Sequence, residues 1–420
     1  MDVPVERCAG LDIGRADVKA CLRLPRPSGR GRSSEVRTFR ATTAGLLELR
    51  DWLVGHEVTL VAMESTGVYW KPVFYLLEDA VECWLVNPQH IKNLPGRKSD
   101  VSDAAWIAQL AASGLVRPSF VPPPPIRVLR DLTRYRATLV HERTREAQRI
   151  HAQLEDAGIK LSLAASDVLG VSGRAMLARL IEAAQRPGPA ADPVELAGLA
   201  RGRLRTKRPL LVETLTGRFT RHHAVLVSMM LQRIAQLDAM ITALDGEIGE
   251  AVAPFQELID RLDTIPGVAA RTAQVILAEI GTDMTRFPSA QHLTSWAGLC
   301  PGLHESAGKR KGSATRHGDS WLAGALGDAA AAASRTGGTY LGERYHRLAR
   351  RRGRKRALVA LARTMLEAAW YLLTHHCDYR DLGPNYYLHH VQNKEHRVKR
   401  LVAEIHALGY NTLLQPAATL

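Results

Sequence analysis

The chain has 420 residues, enough for two or three domains with their own cores, and its 46% hydrophobic and 23% charged residues exclude a disordered or membrane-embedded composition. A formal net charge of +14 favours a polyanionic partner, with nucleic acid the first candidate and a membrane surface the competitor. No run approaches the roughly 20 apolar residues of a spanning helix and the opening MDVPVERCAG lacks a signal-peptide core, so a soluble cytoplasmic protein is expected.

Residues 6 to 115 alternate strand-like and helix-like runs. Strands are expected near 8–14, 18–24 and 36–40, then a helix around 43–55, a strand at 58–63, a helix near 70–80 and a strand at 82–87. The basic stretch PRPSGRGRSS, 25–34, interrupts the hairpin and projects to solvent. Five scattered cysteines (Cys8, Cys21, Cys83, Cys300, Cys377) without a CxxC suit reduced thiols. The adjacent His375, His376 and Cys377 have poor geometry for one zinc site.

Four acids in this segment form a pattern. Asp12 ends the apolar run from Cys8, and Glu64 ends the run VTLVAM, so two carboxylates at the ends of neighbouring strands point into one crevice. Asp100 and Asp103 open the Ala-rich helical stretch DVSDAAWIAQLAA, where a spacing of three puts both on one face. Mg²⁺ takes oxygen ligands and few protein carboxylates. Four acids therefore suit two ions about 3.5 to 4 Å apart, an arrangement that serves phosphoryl transfer. A plainer reading stands beside this one, since an Asp at a helix start is commonly an N-cap or dipole partner. Glu64 resists it better, because a carboxylate closing an apolar run is costly to bury unless it binds something.

PSFVPPPP, 118–125, cannot continue a helix and reads as a linker. Beyond it Leu129, Leu132, Leu139, Ile150 and Leu154 keep helical spacing, and Met230, Ile234, Leu237, Ile241, Leu244 and Ile248 are heptad-like. These runs predict an antiparallel helical arm or a dimerising coiled coil, with an irregular segment between them. Ile265 to Val268, IPGV, lies between two helical stretches, as in a helix-hairpin-helix where Gly267 lets backbone amides approach a DNA phosphate. A plain packed αα turn is the alternative. A Gly- and Ser-rich basic loop spans 292–322, and an Ala-rich helix runs from Ala323 to Ser334. The run RRRGRKR, 350–356, offers Arg351, Arg352, Arg354 and Lys355 as phosphate contacts.

The chain resembles the DEDD-type insertion-sequence transposases, a family of bridge-RNA-guided recombinases, over nearly its whole length. The motifs, in order, are GLDIG, MESTGVYW, RKSDVSDA, GLVRPSFVPP, the IPGV hairpin, RFPSAQHLTSWAGLCPG, ESAGKRKG and HGDSWL. The resemblance implies an α/β RuvC/RNase H-like metal-binding domain at 1–117 and a helical coiled-coil arm at 118–255. A mainly helical transposase domain with the hairpin element at 256–376 and a tail at 377–420 complete the chain. It further implies Mg²⁺ on Asp12, Glu64, Asp100 and Asp103, and a serine nucleophile that by position is Ser306. Lys309, Arg310 and Lys311 would neutralise transition-state charge and Lys98 would contact nucleic acid. Donor and target DNA, a noncoding bridge RNA, and homodimers pairing to a homotetramer follow from the same resemblance, as does a bacterial, nucleoid-associated location. Many relatives carry an arginine after HGDSWL where this chain has Ala323, which removes one phosphate contact. The residues alone leave Ser313 and Ser320 open beside Ser306. They also leave open a hydrolytic RuvC-like nuclease and a non-catalytic nucleic-acid binder.

Overall fold

The computed structural model describes residues 5–26, 31–65, 67–88, 91, 102–187, 189–302, 304–306, 309–312, 314–389 and 394–415. Lys98, Asp100 and Ser313 lie outside the described residues, and for Ser306, Lys309, Arg310 and Lys311 the backbone alone is described. The chain divides into two units, Met1–Pro122 and Pro123–Leu420.

The first unit is built on a five-stranded sheet: β1 (Cys8–Ile13), β2 (Asp17–Pro25), β3 (Arg32–Arg40), β4 (Leu60–Glu64) and β5 (Glu82–Val86). Its order is β3-β2-β1-β4-β5, with β2 antiparallel to both β1 and β3, and β4 parallel to β1 and β5. Helices α1 (Thr43–Gly55) and α2 (Trp70–Leu77) make the crossovers that parallel strands require. The elements follow the expected order, with ends shifted by a few residues.

Side-chain alternation sorts the two faces of β1 and β4. Ala9, Leu11, Ile13, Val61 and Met63 pack with Leu46, Leu49, Leu53, Phe74 and Leu77 of α1 and α2. Cys8, Leu60 and Ala62 turn to the other side, against Trp106, Ile107, Leu110 and Ala111 of α3 (Asp103–Ala112). Gly10 lies on the α3 side. A Cβ there would stand 2.2 Å from the Ala104 carbonyl oxygen and 2.3 Å from the Ala108 nitrogen. The absent side chain is what lets α3 lie against β1.

The second unit opens with α4 (Pro124–Asp156) and also contains α5 (Leu161–Ala164), α6 (Val171–Gln185), α7 (Pro193–Gly198), α8 (Arg208–Leu215) and α9 (Arg221–Val252). Pro124 and Pro125 belong to the first turn of α4, where a missing N–H costs nothing, so the expected linker ends at Pro123. Ser119 donates its N–H to the Leu85 carbonyl at 2.6 Å and Val121 packs on the sheet core, which ties the preceding stretch to the first unit. Between α4 and α9 the ion pairs Arg136–Asp245 and Arg143–Asp238 and the His223–Asp156 hydrogen bond step in opposite senses along the two helices. The heptad-like run therefore pairs antiparallel within one chain, burying Leu139, Ile150 and Leu154 with Ile234, Leu237 and Ile248. The segment expected to be irregular is instead helical, and Met176, Leu177, Leu196, Leu211 and Leu215 form a core with the end of this pair.

The remainder comprises α10 (Gln256–Asp263), α11 (Ala270–Ile280), α12 (Ala290–Trp296), the hairpin β6 (His304–Ser306) and β7 (Lys309–Gly312), α13 (Ser320–Ala333), α14 (Tyr340–Arg352) and α15 (Arg354–His375). The expected basic loop thus contains a helix and two strands, and α13 begins three residues before Ala323 because Asp319 caps it through the Trp321 and Leu322 amides. Two short helices follow, α16 (Tyr386–His389) and α17 (Lys394–Ala407). The expected tail is pinned as far as Tyr387: Asp381 accepts from the Tyr340 amide at 3.0 Å, and the Tyr340 and Tyr387 rings stack with centroids 5.5 Å apart. Against the sequence expectation, the helical stretch Arg221–Asp263, which includes α9, and helix α15 are each long and apolar enough to cross a membrane. In the fold α9 packs along α4 through paired charges, and α15 buries Leu361, Met365, Leu366 and Leu372.

Replacing Gly10 by valine is expected to lower the unfolding free energy of the full chain by about 2 kcal/mol or more, the cost of overpacking against backbone. Urea unfolding followed by circular dichroism checks this; a shift of less than about 0.5 kcal/mol would contradict the close approach of α3.

Candidate active site

The sheet brings three of the four predicted acids together. β1 and β4 pair with a constant offset, Cys8 to Leu60 through Leu11 to Met63, and Asp12 and Glu64 are the next residues of the two strands beyond the last pair. Both residues fall on the face that Cys8, Gly10, Leu60 and Ala62 present to α3. Asp103 is the first residue of α3, and its carboxylate acts electrostatically on Asp12. Asp12 and Glu64 are half-buried and Asp103 is exposed. The helix starts at Asp103, with Ser102 as its N-cap accepting from the Ala105 amide at 3.3 Å. Capping is therefore not the task of Asp103, and the expected partner Asp100 lies outside the described residues.

The electrostatics of the three follow from that geometry. Burial pushes the Asp12 carboxyl above its ordinary range, and the Asp103 carboxylate adds to the rise. Lys19, paired with Asp12 across β1 and β2, pulls it back, and Asp17 pushes it up again. Oxygen donors at a strand end, with the Asp103 carboxylate acting against Asp12, suit a divalent cation.

A second arrangement of ligand atoms lies in the arm, where nothing in the sequence pattern marks it. Asp156, His222 and His223 place their ligand atoms within 4.8 Å of one another. His223 is committed elsewhere. Its Nδ1 accepts the Thr220 amide proton at 3.1 Å, completing a capping box for α9, so its one ring proton sits on Nε2, 2.9 Å from Asp156. Binding a metal at Nε2 would strip that proton or break the cap, and the cluster is better described as a helix cap than as a metal centre.

In the second unit, Ser306 ends β6 and pairs with Lys309, while Glu305 pairs with Arg310, so the serine ends a hairpin strand rather than lying in an open loop. The hairpin's base is fixed by Gly302 donating to the Ala314 carbonyl at 2.8 Å and by the bridge between Pro301 and Thr315. Ser320 lies apart as the first residue of α13. Gly267 has a φ of +89°, and a Cβ on it would stand 2.5 Å from the Ala329 carbonyl oxygen and 2.7 Å from the Ala333 nitrogen. That glycine lets the α10–α11 hairpin close on α13, a need that requires no phosphate. Arg351 and Arg352 end α14, Arg354 and Lys355 begin α15, and all four are exposed around Gly353.

In a buried charge cluster, Asp319 belongs to the motif HGDSWL while Glu279, Arg130 and Arg134 belong to none. Glu279, fully buried in the last turn of α11, takes two hydrogen bonds from Arg134 at 2.7 Å each, and Arg130 stands 3.1 Å from the same carboxylate. Arg134 also reaches Asp319 at 3.3 Å. Burial raises the Glu279 carboxyl to about 7 against the pull of Arg134 and Arg130, with Asp319 adding to the rise. The only signal in the sequence is a glutamate inside the apolar run VILAEIG, where a charge needs partners.

Comparison with known proteins assigns the chain. An IS110-type DEDD transposase model matches residues 9–159, and the model for the transposase IS116/IS110/IS902 family matches residues 259–347; together they take in more than half of the chain. The transposase for insertion sequence element IS1111A of Coxiella burnetii is 28% identical over 333 residues, 77% of this chain and 80% of that protein. A 42 kDa protein of insertion element IS900 from Mycobacterium paratuberculosis is 27% identical across 88% of this chain and 96% of its own length. The pilin gene-inverting protein of Moraxella bovis is 32% identical over 166 residues, 37% of this chain and 48% of that protein. The first model begins at β1 and covers Asp12, Glu64, Asp100 and Asp103, and the second covers the α10–α11 hairpin, Ser306 and HGDSWL. This chain belongs to the IS116/IS110/IS902 family of insertion-sequence transposases, and it is a DNA transposase of the recombinase kind.

Proposed function

We propose that this transposase cuts and rejoins DNA through a covalent serine intermediate, with Ser306 as nucleophile and Asp12, Glu64, Asp100 and Asp103 as a Mg²⁺ platform for two ions. The observation that carries the metal half is the β1–β4 register, which sets Asp12 beside Glu64 on the face that meets Asp103. A sheet of order β3-β2-β1-β4-β5, with β2 antiparallel to its neighbours, supports an RNase H/RuvC-like domain at 1–117. The α4–α9 pair supports the arm at 118–255, with a transposase domain at 256–376 and a tail at 377–420.

In the reaction Ser306 Oγ attacks the scissile phosphorus, an Oγ–P ester forms, and the strand's own P–O bond breaks to leave a free hydroxyl end. The hydroxyl of another strand then attacks the ester and releases the serine, so no bond energy is lost to water. When bound, Mg²⁺ supplies Lewis-acid polarisation of the phosphate oxygens. The chain's own residues hold and orient: the acids fix the platform, and Lys309, Arg310, Lys311 and Lys98 with the exposed run at 351–355 contact phosphate. A net charge of +14 supports binding of donor and target DNA together with a noncoding bridge RNA. Exposed Val225, Leu226 and Met229 on α9 support a homodimer that pairs to a homotetramer, and action on the nucleoid places the protein in the cytoplasm.

Ser306→Ala is expected to abolish the covalent protein–DNA adduct, seen as a band shift on denaturing gels, while DNA affinity stays within about twofold. An adduct that persists rules out this nucleophile, and cleavage without any adduct favours a hydrolytic nuclease. Asp12→Asn tests the platform by thermal melting. With its carboxyl raised in the fold, ionised Asp12 costs stability at pH 7 and ceases to cost it as pH falls and the group protonates. The variant should melt about 2 °C higher than the wild type without metal, and added Mg²⁺ should raise the melting point of the wild type alone. Equal Mg²⁺ stabilisation of both proteins would contradict the site.

A further inference from the structure

The Arg130, Arg134, Glu279 and Asp319 cluster joins three helices, α4, α11 and α13. Glu279 has no exposure at all in the last turn of α11, where the final carbonyls of a helix lack intrahelical partners. Arg130 supplies two of them, donating from Nε to the Ala278 carbonyl at 3.0 Å and from Nη2 to the Glu279 carbonyl at 2.6 Å. Arg134, one turn further along α4, grips the Glu279 carboxylate in a bidentate pair and extends the same Nη2 to Asp319 Oδ2. The other oxygen of Asp319 accepts the Trp321 and Leu322 amides at 2.9 Å, so one aspartate both caps α13 and holds the arm.

The residues just before Asp319 carry that hold to the hairpin. Gly318 crosses the backbone of Ala297 and Gly298 so closely that a Cβ on it would stand 2.3 Å from the Ala297 carbonyl oxygen. Four residues beyond Gly298 the chain enters the hairpin, whose base is closed by Gly302, Ala314 and the Pro301–Thr315 bridge. Gly318, next to Asp319, is therefore packed against the segment that leads to the hairpin's base.

We propose that Arg134 is a positioning residue for the Ser306 hairpin, coupling the arm helix α4 through Glu279 and Asp319 to the hairpin's base, so that strand transfer requires a seated arm. The proposal rests on the reading of this hairpin as the reaction centre. Burial supports it from a second direction: with its carboxyl raised to about 7, Glu279 can take a proton if the arginines withdraw, so an unseated arm leaves no bare charge behind. The charges facing Glu279 are Arg130 and Arg134 from α4 and Asp319 from α13, and Asp131 acts on both arginines.

Arg134→Met in the full-length protein is the direct test, because Glu279 keeps Arg130 as a counter-ion and Asp319 keeps its amides. Three measurements are made: thermal melting, excision of the element from a plasmid carrying it with its own flanks, and hydrogen exchange of peptides across 297–322. The variant is expected to melt within about 3 °C of wild type, to excise about tenfold less often, and to exchange about tenfold faster across 297–322. DNA binding should stay at the wild-type level. Asp319→Asn, which retains an N-cap but weakens the tie to Arg134, is expected to shift excision and exchange in the same direction and serves as the decisive variant if Arg134→Met does not fold. Wild-type excision or unchanged exchange in a folded variant overturns the proposal. Should Ser306→Ala leave the adduct intact, the reaction-centre reading fails, while the exchange result still reports whether the arm holds the hairpin.

Discussion

The hydrogen that stands in place of a side chain at Gly10 is the constraint on which the metal half of the site depends. With no Cβ there, α3 lies directly on β1, its backbone at Ala104 and Ala108 touching the strand. That contact sets the first residue of α3, Asp103, where its charge is felt by Asp12 at the strand's end. The parallel pairing of β1 with β4 adds Glu64 at the same level. Three acids thus meet because two strands share a register and one helix is allowed unusually close. The cost is electrostatic: Asp12 is partly buried among like charges, the condition that a divalent cation relieves.

The second unit solves a related packing problem with glycines and paired charges. Gly267 lets the α10–α11 hairpin close on α13, and Gly298 and Gly318 let two backbone segments cross in contact. Where α4, α11 and α13 meet, the structure places two guanidiniums and two carboxylates in one network instead of apolar side chains. Buried charges of this kind add little to stability compared with well-packed hydrophobic groups, but they are selective about geometry. A cluster of this kind favours one arrangement of the three helices over others.

The first unit was largely legible in the sequence because each strand is bounded by Gly, Pro or charge and each carboxylate closes an apolar run. Asp12 and Glu64 could be placed at strand ends from that pattern alone. The start of α3 could not, since Asp100, Ser102 and Asp103 are all good caps, and only the Ser102 bond to Ala105 decides among them. The helices between α4 and α9 were missed because their apolar positions serve a small local core and Gly and Pro break their periodicity. The heptad-like run was legible as a helix but not as an intrachain pair, because the partner is chosen by ion pairs such as Arg136–Asp245, more than a hundred residues apart. Ser306 could be singled out only by resemblance. A serine in a Ser-Ala-Gly run is ordinary, and its chemistry depends on what approaches it.

The measurement that reaches the central claim most directly is mass spectrometry of the protein recovered from cut element-end DNA and digested with nuclease and protease. The account predicts a nucleotide phosphate mass on the peptide containing Ser306, formed only when Mg²⁺ or a similar divalent ion is present. A nucleotide on Ser313 or Ser320, or cut DNA with no modified peptide, would contradict it.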